Sequence, residues 1–96
     1  MVIRSFDALR AAMQGRAPLH LAVAGGDDAG AMAGVVAGFE AGLIASAALT
    51  GDVAVMRGLL PDAWRNRVRL IAADSGAQAA ALAVAEVRAG LADVLM

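Results

Sequence analysis

Apolar residues recur along this chain in two alternating rhythms, one of helical spacing and one of short continuous runs, and glycine, proline or aspartate marks nearly every change between them. Ile3, Phe6, Leu9 and Met13 fall at helical spacing, which predicts a short amphipathic helix over Ile3–Gln14 that Gly15 stops. Pro18 then precedes an apolar run, Leu19–Ala24, and Gly25-Gly26 follows it, the punctuation of a buried strand. A second helix is predicted from about Asp28 to Ala41, capped by Asp27 or Asp28 and ended by Gly42.

The same phrase then repeats. Leu43–Leu49 reads as a strand, Thr50-Gly51-Asp52 as a turn, and Val53–Leu60 as a helix closed by Pro61-Asp62. Around Trp64 the pattern is irregular or a helical turn, and Arg67–Ala73 passes from alternating to fully apolar, as a strand should. Asp74-Ser75-Gly76 offers an N-cap for an alanine-rich helix over Ala77–Ala89, Gly90 stops it, and Ala92–Met96 is predicted as a final strand. Strands alternating with helices through short connections require right-handed parallel crossovers. The expected fold is therefore α/β, a three-layer α/β/α arrangement with a mainly parallel sheet covered on both faces.

Composition narrows this picture. Ninety-six residues make one compact domain at most, and the 60% hydrophobic content is weighted toward alanine, so the core must combine close small-residue contacts with Val, Leu, Ile and Met. All basic residues are arginine, and a net charge of −1 supplies no positive field for nucleic acid. The absence of cysteine excludes disulfides and thiolate chemistry and fits a cytoplasmic setting. Met1–Arg16 lacks the apolar core of a signal peptide. Ala29–Gly51 is long enough to span a bilayer, but its alanine and glycine carry little transfer energy and Asp27, Asp28 and Asp52 flank it, so no membrane span is expected.

Candidate chemistry collects at the strand-to-helix turns. Gly25, Gly26 and Asp27 after the first strand, and Thr50, Gly51 and Asp52 after the second, lie at one edge of the sheet, the edge where open parallel sheets bind ligands. Backbone amides beside Gly25 and Gly26 are positioned for an anionic ligand, although the same residues make an ordinary turn and helix cap. Asp74 and Ser75 form a third turn there, for which capping is the stronger reading. His20, the one histidine, falls at the opposite edge and reads as structural. Arg65, Arg67 and Arg69 match carboxylate or phosphate geometry but read first as a solvated face. The methionines read as core filling, and the histidine and scattered carboxylates assemble no metal site.

Four stretches carry a family resemblance: Leu21-Ala22-Val23-Ala24-Gly25-Gly26-Asp27-Asp28, Glu40-Ala41-Gly42-Leu43-Ile44, Ala48-Leu49-Thr50-Gly51-Asp52, and Val87-Arg88-Ala89-Gly90-Leu91-Ala92-Asp93-Val94-Leu95-Met96. Together they resemble the amino-terminal half of the phosphate acetyl/butyryl transferase family, in which the last stretch continues into Lys-Gly. The resemblance spans Leu19–Met96. It implies a fold similar to isocitrate and isopropylmalate dehydrogenases and reversible transfer of a short acyl group between coenzyme A and inorganic phosphate. The coenzyme A ester and phosphate are then substrates and no resident cofactor is implied. Residues 1–96 are accordingly expected to be an amino-terminal fragment, inactive alone, whose catalytic second half is absent, and whose open edge favours a homo-oligomer. Gly25, Gly26, Asp27, Thr50, Gly51 and Asp52 are the expected substrate-binding residues, although Thr50 stands where the family more often has an aliphatic residue. The alternative is a small doubly wound binding or interaction module.

Overall fold

The computed structural model describes residues 18–96, so the helix predicted over Ile3–Gln14 lies outside the described residues. The elements are β1 (Leu19–Ala24), α1 (Ala29–Glu40), β2 (Ile44–Gly51), α2 (Val53–Leu59), a 3-10 helix (Asp62–Arg67), β3 (Val68–Ala72), α3 (Gly76–Arg88) and β4 (Val94–Leu95). The strands form one sheet in the order β3-β2-β1-β4, and every pairing is parallel. Two successive crossovers step outward from β1 to β2 to β3. The third returns across both to place β4 on the far side of β1.

That reversal puts helices on both faces of the sheet, because right-handed crossovers that travel in opposite directions cover opposite faces. Side-chain alternation agrees. Leu21, Val23 and Leu49 pack with Met32, Val35 and Phe39 of α1 and Met56 of α2, whereas Ala22 on the other face packs with Ala83, Ala92, Val87 and Leu95 around α3. Val35, Leu49 and Met56 are wholly enclosed, and burying each such side chain contributes about 1.5–3 kcal/mol.

Local chemistry sets the boundaries. Pro61 restricts the residue before it to extended backbone, and Leu60, at ψ 120°, ends α2. At the ends of α1 and α3 the amides of Gly42 and Leu43, and of Gly90 and Leu91, turn back to the last helical carbonyls, so both predicted glycine stops close their helices. Among the described residues no helix is long and apolar enough to cross a membrane.

The structure departs from the sequence pattern at two strand ends. β2 continues through Thr50 and Gly51, predicted as a turn, because this strand has neighbours on both sides: Thr50 pairs with Ala24 and Ile71, and Gly51 with Ala72. β4 is confined to Val94–Leu95 rather than Ala92–Met96. Its flanks still follow β1, since Asp93 N donates to His20 O at 2.8 Å and Met96 N to Ala22 O at 2.7 Å.

Candidate functional site

At the carboxyl ends of β1, β2 and β3 three strand-to-helix turns surround a cleft of about 320 Å³, lined by Gly25, Asp27, Gly51, Asp52, Asp74 and Ser75 among others. This is the rim at which open parallel sheets bind ligands, and the strand order reverses beside it, between β1 and β4.

Each turn carries a cap. Asp28 Oδ2 accepts from Ala31 N at 2.8 Å, Asp52 Oδ1 from Val55 N at 3.2 Å, and Ser75 Oγ from Gln78 N at 3.1 Å, so each helix begins on a side chain that satisfies a free backbone amide. The Gln78 amide oxygen reaches back to accept from Asp74 N, which closes the third turn on itself.

Asp27 ties the first turn to the second. Its Oδ2 accepts from Asp52 N at 3.0 Å, and its carboxylate lies directly over Gly51, where a Cβ would stand 2.8 Å from Asp27 Cγ. Gly51 also has φ +150°, a conformation that favours glycine. Conformation and close approach thus both demand the missing side chain.

Gly26 and Thr50 do not line the cleft. Gly26 is buried beneath it, where a Cβ would stand 2.8 Å from Leu49 Cβ and 3.0 Å from Met56 Sδ, so this glycine lets the turn settle onto β2 and α2. Thr50 is fully buried, with its hydroxyl 2.7 Å from Ala79 O and 3.2 Å from Val23 O. Nor do the amides of Gly25 and Gly26 face a ligand, as the glycine turn suggested, because both donate to Thr50 O, at 2.9 and 3.0 Å. The structure brings together Gly25, Asp27, Gly51 and Asp52 of the expected set and adds Ala73, Asp74, Ser75, Gly76 and Ala79. The signal for the additions was present in Asp74-Ser75-Gly76, which follows β3 as the other turns follow β1 and β2.

Three aspartates and no arginine line this cleft, and Asp52 stands at a helix start, where the dipole favours negative charge. A surface of this kind accepts hydrogen bonds from hydroxyl, amide and amine groups and repels anions. His20 lies at the opposite edge, exposed, its Nδ1 sharing a hydrogen bond with Ser46 Oγ and its backbone N donating to Asp93 Oδ2 at 3.0 Å. Arg67 and Arg69 flank the amino end of β3, far from the carboxyl rim.

No family model and no curated protein matches this chain.

Proposed function

We propose that this chain is the amino-terminal α/β part of an enzyme that moves a short acyl group, acetyl or butyryl, between coenzyme A and inorganic phosphate, on a fold of the isocitrate and isopropylmalate dehydrogenase type. The observation that carries the reading is the convergence of three strand-to-helix turns on one cleft at the carboxyl rim. Two of those turns, at Gly25–Asp28 and at Asp52 after the end of β2, belong to the stretches that resemble the transferase family.

Charge divides the labour in this proposal. The acidic cleft suits the hydrogen-bond donors of a coenzyme A ester, its amide N–H and hydroxyl groups, with Asp27, Asp52 and Ser75 in one wall. Phosphate and the developing oxyanion need donors of the opposite polarity, which the proposal assigns to sequence beyond residues 18–96. Holding thioester and phosphate in contact supplies much of the rate enhancement in such a transfer, and oriented donors at the oxyanion supply more. Pairing of the open β3 or β4 edge with a second copy is part of the same proposal.

The test is a thiol-release assay on the complete product of the reading frame. Free coenzyme A should appear from acetyl-CoA or butyryl-CoA only when phosphate is added, with acyl phosphate as the second product, and residues 1–96 alone should be inactive. Complete product that releases no thiol in the presence of phosphate overturns the reading.

A further inference from the structure

A second opening, of about 250 Å³, lies at the other end of the sheet between β2 and β3, and its polarity is the reverse of the first. Ser46, Asn66, Arg67 and Arg69 supply its polar lining, Ala48 and Leu91 part of its apolar wall, and none of the residues lining it is acidic. Leu91 is 58% exposed and supplies an open apolar surface to this lining.

The arginines are not equivalent. Arg65 pairs with Asp62 and Arg69 with Glu86, each at 2.6 Å, whereas Arg67 has no carboxylate partner among the described residues. Its guanidinium carbon lies 5.8 Å from the centroid of Trp64, and Trp64 stacks on Phe39 with ring centroids 5.1 Å apart. A cation–π contact at that distance draws the guanidinium toward the ring and leaves its N–H groups available to a planar acceptor. Ser46 Oγ, on the same lining, is held by His20.

We propose that this opening binds a small aliphatic carboxylate, its head on the Arg67 fork with Ser46 and Asn66 beside it, and its tail against Ala48 and Leu91. The volume of about 250 Å³ falls just below that of drug-sized pockets and suits a short tail, about three to five carbons. The site is separate from the carboxyl-rim cleft and does not depend on the acyl-transfer reading. Phosphate, which has no tail, lacks the apolar half of the interaction.

Amide spectra of 15N-labelled protein titrated with butyrate provide the test. Saturable shifts are expected at Ser46, Asn66, Arg67 and Leu91, with none at Asp52 or Ser75, and a dissociation constant of about 1 mM suits so small a ligand. Loss of a charge-assisted pair in Arg67→Ala should weaken binding about tenfold or more, and Arg67→Lys, which retains the charge and tests for a folding defect, should fall between. 1-Butanol should produce no saturable shift and inorganic phosphate a weaker one. Absence of saturation, equal binding by Arg67→Ala, equal binding of butanol, or shifts confined to the carboxyl rim each overturns the proposal.

Discussion

The Thr50 hydroxyl lies 2.7 Å from the carbonyl of Ala79, joining the central strand β2 to the first turns of α3 from a position with no exposure to solvent. Its own carbonyl holds the amides of Gly25 and Gly26. One residue therefore connects the turn after β1, the end of β2 and the helix that borders the cleft. Thr50→Val keeps the shape and removes the hydroxyl, and should destabilise the protein by about 1–2 kcal/mol, measurable by urea denaturation. An unchanged midpoint would show that the contact contributes nothing.

Gly26 and Gly58 should respond in opposite directions to alanine. A methyl at Gly26 meets Leu49 Cβ at 2.8 Å, an atom fixed to the central strand, so Gly26→Ala should cost about 1–3 kcal/mol. Gly58 lies within α2 with nothing in the way of a Cβ, and Gly58→Ala should stabilise by about 0.5–1 kcal/mol. Thermal melts of the two variants beside the parent decide both.

Asp27 and Gly51 should be strongly coupled. Gly51→Ala suffers twice, from φ +150° and from the Asp27 carboxylate 2.8 Å away. Removing that carboxylate in Asp27→Ala relieves the second penalty only. In a double-mutant cycle the pair should deviate from additivity by about 1–2 kcal/mol, the double variant being more stable than the sum of the singles implies. Additive losses would separate the two residues energetically.

Trp64 is the only tryptophan, so its fluorescence reports the stack on Phe39 without interference. The rings lie 5.1 Å apart at an interplanar angle of 12°. Phe39→Leu should shift Trp64 emission to longer wavelength and cost about 1–2 kcal/mol, part of it the aromatic pairing itself. Emission that does not move would place Trp64 away from Phe39 in solution.

Elements whose cause is local were readable along the chain. Gly42 and Gly90 stop their helices where the pattern places them, Pro61 ends α2, and the strand-helix alternation yields a parallel sheet with helices on both faces. The Thr50–Ala79 bond was not readable, because it requires the chain to return 29 residues later. The same holds for the turn amides: Gly25-Gly26 has the composition of an anion loop, but a strand carbonyl 25 residues or so downstream, that of Thr50, occupies both N–H groups. Thr50 and Gly51 resemble turn residues by type, and only a neighbour on each side keeps them in the ladder. The polarity of the two openings was hidden for a similar reason, since Asp27, Asp52 and Asp74 are dispersed in sequence and meet only when three strands align.

The buried centre of the seam between the sheet and α3 is made of alanine methyl groups, with Ala22, Ala83 and Ala92 in contact and Ala79 equally enclosed. Methyl groups have no rotamers to adjust, so added bulk there must displace the backbone of the helix. The opposite face, filled by leucine, methionine and phenylalanine, accommodates exchanges of similar volume by reorienting side chains. Inherited variation in this protein should consequently be lopsided: drift on the side of α1 and α2, and near-constancy along a narrow alanine stripe whose members look, one by one, replaceable.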